Sequence, residues 1–222
     1  MHYCFMGSGN WRQVHCYVRM RRLGAELIQK GARVSYVIED YADNRSGLDF
    51  HPKSEIHYIP LGNPIKQALA RRRILKRLNP DVLHIHTPHI KNYFALAGSS
   101  RYRIVGDWDE PPVFKEYPWL RMQMERYLDR WQRKKSWMIL VASRHLEKWF
   151  RDSFGIETVY IPHATDLPLG GDGPSPYSKP TAVYMGSMYP QWDMDLMFDA
   201  LAMLAEDGFK PPVALVGDGP DR

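Results

Sequence analysis

Cysteine is scarce in this chain: Cys4 and Cys16 are the only two, too few for a disulfide framework and not spaced as a Cys-x-x-Cys pair. They read as buried reduced thiols. No run approaches the about 18 consecutive apolar residues that a membrane helix needs; the best stretch is Trp137 to Ala142. The first six residues lack the basic start and long apolar region of a secretory signal and read as a strand. Charge of one sign is nearly balanced, with a formal net of +5. What is present is ordinary for a folded protein: 44% hydrophobic and 25% charged residues over 222 positions, which excludes disorder and fibrous repeats.

Short apolar runs alternate with helical periodicity, the signature of βαβ units around a parallel sheet. Strands are predicted at His2–Met6, Val34–Ile38, Ile56–Ile59, Val82–Ile85, Tyr102–Val105, Met138–Val141 and Thr158–Ile161. Between them come a helix carrying Val14, Tyr17, Met20, Leu23 and Leu27 and stopping at Gly31, and a basic helix over Ile65–Leu78. A charged helical region over Val113–Lys135 and a helix capped by Ser143 complete the set. Glycine and proline then crowd together, marking 166–180 as a linker between a first domain, 1–165, and a second segment, 181–222. That segment has two strands, Thr181–Met185 and Val213–Val216, and one helix with Met197, Ala200, Leu201 and Leu204 on one face. Two strands and a helix are too little to cover both faces of a parallel sheet, so the second domain is predicted to be incomplete.

Several stretches, in order, resemble the nucleotide-sugar glycosyltransferases of the GT-B fold, especially the large family-four group. Lys30-Gly31-Ala32-Arg33-Val34 is similar to its "kGheV" segment and Asp81-Val82-Leu83-His84-Ile85-His86 to its "PDvvHvH" strand. Leu140-Val141-Ala142-Ser143, followed by Phe154-Gly155 and Ile161-Pro162-His163-Ala164-Thr165-Asp166, resembles "vvaxS…g…vIPNGvD", with His-Ala-Thr in place of Asn-Gly-Val. Tyr184-Met185-Gly186-Ser187 is similar to "yvGrl" and Val216-Gly217-Asp218-Gly219-Pro220 to "ivGdGP". Trp192-Asp193 stands where the family has Lys-Gly, and the family's paired-glutamate donor motif would lie beyond Arg222. The resemblance implies a Rossmann-like acceptor domain followed by the first part of a second, donor-binding domain. It also implies transfer of a hexose from a nucleotide diphosphate sugar to a carbohydrate or lipid-linked acceptor, as in polysaccharide biosynthesis, with retention of configuration. No cofactor beyond that donor is expected, and these 222 residues alone are expected to be inactive.

Glycosyl transfer must stabilise an oxocarbenium-like sugar and a departing diphosphate, and backbone N–H groups, helix N-termini and basic side chains suit the second task. Gly7, Ser8 and Gly9 sit between a strand and a helix where backbone can approach a ligand closely, and a plain tight turn is the alternative. The resemblance assigns Gly186 and Ser187 to the diphosphate from the second domain. Asp107 and Asp109 follow the fifth predicted strand, at the edge where open α/β sheets bind ligands. The resemblance puts Asp109 nearest the reacting centre, where many relatives carry a histidine, with Asp107 second. His84 and His86 are candidate liners of the acceptor cleft, and Trp192 a candidate for stacking on a sugar ring.

Three rival readings stand beside this one. His84, His86 and His89 alternate in a way that suits a metal-dependent hydrolase. Glu39-Asp40 after the second strand suits a nicotinamide dinucleotide, although Arg12 breaks the Gly-x-Gly-x-x-Gly spelling. A nucleotide-binding module without catalysis is the third. The basic run Arg71, Arg72, Arg73, Lys76 and Arg77 reads as a solvated helix face or as a contact with an anionic membrane surface. No nucleic-acid partner is expected, and the location is expected to be cytoplasmic, at the inner membrane face where the enzyme is peripheral.

Overall fold

The strands of the first domain pair without exception in parallel, so each must be joined to the next by a crossover, and helices supply nearly all of them. The structure, a computed structural model, describes residues 1–11, 15–46, 48–86, 89–110, 118–163, 176–186, 188 and 194–218. The chain divides into two compact units, Met1–Thr165 and Asp166–Arg222.

In the first unit the order is β1 His2–Met6, α1 His15–Gln29, β2 Arg33–Glu39, α2 Ala42–Arg45, β3 Glu55–Ile59, α3 Pro64–Leu78, β4 Val82–His86, α4 Ile90–Leu96, β5 Arg103–Trp108, α5 Trp119–Lys135, β6 Ser136–Val141, α6 Arg144–Phe154 and β7 Val159–Tyr160. The seven strands lie in the order β3-β2-β1-β4-β5-β6-β7. The order reverses direction between β1 and β4, the switch point where doubly wound sheets open a crevice at the carboxyl ends of their strands. On one face of the sheet Phe5, Val34, Tyr36 and Ile38 pack with Tyr17 and Met20 of α1. On the other, Cys4, Met6, Leu83 and Ile85 pack with Leu75 and Leu78 of α3, Ala95 and Leu96 of α4 and Trp131 of α5. Cys4 is a buried free thiol, and burial pushes it far above the usual range.

Local chemistry fixes the helix ends. Asn63 Oδ1 accepts from the Ile65 N–H at 2.8 Å and Pro64 opens α3, where its missing N–H costs nothing. The Ser143 hydroxyl accepts from the Leu146 N–H at 3.1 Å, and α6 ends on Gly155 in the left-handed region.

Three expectations need correction. β5 reaches Trp108 instead of ending at Val105, because Asp107, polar in the sequence, is buried and hydrogen-bonded to Arg19 and His84 within the sheet. α4 was not expected at all: at seven residues it is too short to show a period, and what starts it is the His89 side chain accepting from the Lys91 N–H. α2, four residues long, was missed for the same reason. The expected start of the charged helix at Val113 lies outside the described residues, within which α5 begins at Trp119.

The second unit pairs β8, Ala182–Met185, in parallel with β9, Val213–Val216, joined through α7, Met194–Glu206. Gly186 and Gly217 follow the two strands side by side, and a Cβ on Gly217 would collide with the Gly186 carbonyl.

Candidate functional site

Two polar clusters meet the carboxyl edge of the first sheet, one beneath the loop after β1 and one across β4 and β5.

The loop Gly7-Ser8-Gly9 is shaped by what surrounds it. A Cβ at Gly7 would stand 2.8 Å from the Trp11 ring, which stacks on Tyr17 with ring centroids 4.2 Å apart. Gly9 has φ of +86°, a conformation that disfavours any side chain. The Ser8 N–H donates to the Tyr17 hydroxyl at 2.9 Å, and Asn44 Nδ2 donates to the Gly9 carbonyl at 3.2 Å. From the opposite face of the sheet comes Arg71, fully buried, whose Nη1 donates to the Gly7 carbonyl at 2.9 Å and to Asn92 Oδ1 at 3.2 Å. Its Nη2 donates to Ser8 Oγ at 3.2 Å and to Glu39 Oε1 at 2.7 Å. Lys91 Nζ donates to the same Glu39 oxygen at 2.8 Å. Burial works against the Glu39 charge, but the Lys91 hydrogen bond and the charges of Arg71 and Lys91 outweigh it and hold the carboxyl below the usual glutamate range.

Arg71 therefore does not belong to the solvated or lipid-facing basic run; it is a core residue that ties the glycine loop to β2. Glu39 is correspondingly spoken for. A carboxylate engaged by two cations is not free to take the ribose hydroxyls that the nicotinamide reading asked of it.

Across β4 and β5 the two alternations interlock. His84 and His86 point to the α1 side, and so do Asp107 and Asp109. His84 Nε2 donates to Asp107 Oδ2 at 2.9 Å, and His86 Nε2 donates to Asp109 Oδ2 at 2.9 Å. Arg19 of α1 reaches between the carboxylates: its Nη2 donates to Asp107 Oδ1 and, at 2.6 Å, to Asp109 Oδ1, while Nη1 donates to the Ile161 carbonyl at 3.0 Å. Burial falls along this ladder. Asp107 and His84 are enclosed, the Asp109 side chain is 17% exposed, and His163, with Nε2 3.4 Å from Asp109 Oδ1, is 44% exposed. The Asp109 carboxylate thus stands among His86, Arg19 and His163 with 17% of the side chain exposed.

The ladder also decides the metal reading. His84 and His86 spend their Nε2 atoms on carboxylates, His89 caps α4, and the cation between the two aspartates is a guanidinium. A divalent ion there would have to displace Arg19, so these residues do not fit a metal. Arg19 was missed in the sequence because one arginine on the polar flank of an amphipathic helix carries no signal; only the register of β4 against β5 shows what it serves. His163 was visible as a departure from the family motif, but not its reach to Asp109. Gly186 lies in the second unit, at the end of β8; Ser187 and Trp192 lie outside the described residues.

The family model described as Glycosyltransferase Family 4 matches residues 18–168, which takes in every residue of the ladder. The chain belongs to Glycosyltransferase Family 4. Its sheet is the Rossmann-like sheet of the GT-B fold, and solved structures agree at the level of fold. One is titled a putative UDP-N-acetylglucosamine 2-epimerase from Listeria monocytogenes, with TM-score 0.61, 13% identity, and 98% of this chain against 62% of that one. A second is CalG4, the calicheamicin glycosyltransferase, with TM-score 0.51, 14% identity, and 97% against 65%. A third is an alpha-glucosyltransferase in complex with UDP and a 13-mer DNA, with TM-score 0.52, 15% identity, and 97% against 66%. This family-four chain thus spans less than two thirds of the length of each of these structures. The comparison with curated proteins finds no match.

Proposed function

We propose that the first unit is the acceptor side of a glycosyltransferase that moves a hexose from a nucleotide diphosphate sugar to a carbohydrate or lipid-linked acceptor, with retention of configuration. The observation that carries this reading is the Asp109 carboxylate: partly exposed, set at the carboxyl edge of a family-four sheet one strand from its switch point, and held in one orientation by His86 and Arg19. A carboxylate so placed accepts a hydrogen bond from an acceptor hydroxyl and faces the positive charge that develops on the sugar ring. His86 and His84 serve by orienting the two aspartates, and Asp107 by anchoring Arg19. Gly7, Ser8 and Gly9 form the wall along which donor phosphates or acceptor lie, kept in place by Arg71. Gly186 and Ser187 would meet the diphosphate from the other domain, with Trp192 against a sugar ring.

The test is Asp109→Asn in the product of the full gene, assayed for transfer from UDP- and GDP-hexoses. The substitution keeps the shape and removes the charge. Transfer is expected to fall about a hundredfold or more in kcat, with the melting temperature little changed. Transfer at the unaltered rate would remove Asp109 from the site. Binding of nucleotide sugars without any turnover by the unaltered protein would favour a non-catalytic module instead.

A further inference from the structure

Charge and apolar surface coincide on one flank of α5. Leu120, Met124, Tyr127 and Trp131 follow one another at spacings of four, three and four residues, which stacks them along a single stripe of the helix. The stripe is open to solvent over much of its length: Leu120 is 74% exposed and Tyr127 53%, and Trp119 beside them is 70% exposed. It continues onto α4. Tyr93 lies edge-on to Tyr127 and Trp131, with centroids 5.6 and 5.2 Å away, and also edge-on to Phe94, itself 46% exposed.

The charged residues of this helix are mostly cations. α5 carries Arg121, Arg126, Arg130, Arg133, Lys134 and Lys135 against only Glu125 and Asp129, and Asp129 is buried, held by Arg133 and the Trp108 indole. Arg130 and Lys134, both exposed, run beside the stripe. Aromatic rings and a leucine flanked by cations match the interface of an anionic bilayer, where rings sit at headgroup depth and each cation draws on the negative surface potential.

Topology sets the orientation. α5 ends at Lys135, directly against the start of β6 at Ser136. Seventeen residues at about 1.5 Å each carry its first turn about 25 Å back along the sheet, to the carboxyl edge where Asp109 stands. The most exposed apolar residues are therefore at the same end of the sheet as the ladder. Among the described residues no helix is long and apolar enough to cross a membrane.

We propose that the α4–α5 face docks on anionic membrane surfaces and so presents the acceptor edge of the sheet to lipid-linked acceptors. The purpose given to the docking rests on the acceptor-side reading above; the docking itself does not. On α3, the run that invited a membrane reading in the sequence, Arg71 is buried in the core while Arg72, Arg73, Lys76 and Arg77 are exposed, and it serves as the comparison surface.

The experiment is sedimentation with vesicles of phosphatidylcholine alone or mixed with phosphatidylglycerol. The unaltered protein is expected to pellet with the anionic vesicles and to be released by high salt. L120E/M124E and R130E/K134E are each expected to weaken binding about tenfold, and R72E/R73E on α3 to change it less than about twofold. Unchanged near-ultraviolet circular dichroism shows that each variant is folded. No binding to anionic vesicles, undiminished binding by L120E/M124E, or a dimer that L120E/M124E dissolves would each overturn the proposal. D109N is expected to keep vesicle binding, and L120E/M124E to keep transfer to a water-soluble acceptor. Failure of the acceptor-site reading thus shows as transfer surviving in D109N, whatever the vesicles do.

Discussion

Arg19 and Arg71 are both buried arginines, yet they hold different things. Arg71 joins the glycine loop to Glu39, and Arg19 joins Asp107 of β5 to Asp109 just past the end of that strand. For a guanidinium with only 4% of its side chain exposed, loss leaves a buried charge without its partner. Breaking such a pair costs more than the pair contributes, about 3–5 kcal/mol. Arg19→Met keeps the length and removes the charge, and it is expected to lower the unfolding free energy by about that amount in urea titration. A change under about 1 kcal/mol would mean that solvent, and not Arg19, compensates Asp107. The ladder is also where sequence reading reached furthest: Asp107, Asp109, His84 and His86 were all named as candidates. What it lacked was their pairing, because each partner is set by strand register and each lies about 23 positions away along the chain.

At the scale of elements, α4 shows how much depends on one cap. Its first turn is held by His89 Nδ1, which accepts from the Lys91 N–H at 3.2 Å and can do so only while the imidazole is neutral. Burial, with Lys91 and Arg71 adding to it, drives His89 down to about 4. Between the ordinary histidine value near 6.5 and that lowered value, the unfolded chain binds a proton that the folded chain refuses. Stability therefore falls as pH drops from about 6.5 to about 4, by an amount on the order of 2 kcal/mol. His89→Asn keeps an N-cap acceptor without a titrating group, so its unfolding free energy is expected to be flatter across that window than that of the unaltered protein. Parallel pH dependence in the two proteins would show that His89 is not the group responsible. The same element explains a miss in the sequence reading. Long helices such as α3 and α6 announce themselves by period, and α6 also by Ser143 at its start, whereas a seven-residue helix started by a histidine offers neither sign.

Over the whole molecule, the two units differ in how much they can bury. All seven strands, and helices on both faces, close the core of Met1–Thr165. In the second unit β8, β9 and α7 leave Val183, Met185, Leu196, Phe198 and Met203 exposed. A chain ending at Thr165 is expected to unfold in one cooperative transition, with a melting temperature within a few degrees of the 222-residue chain, because among the described residues no strand of its sheet comes from beyond that point. Residues 166–222 alone are expected to show no such transition, since a pair of strands with one helix buries too little apolar surface. Scanning calorimetry of both pieces checks this. Loss of cooperativity in the shorter chain would mean that its core depends on the second unit.

The alternation of strands and helices, the direction of the strands and the family were legible in the order of residues, because these follow from local period, cap chemistry and motif order along the chain. That Arg71 is a core residue, that Glu39 is committed to two cations, and that Arg19 completes a ladder of histidines and aspartates became visible in the folded chain alone. Those outcomes depend on which residues a parallel register brings to one edge from opposite faces of the sheet, and spacing along the chain carries no record of that.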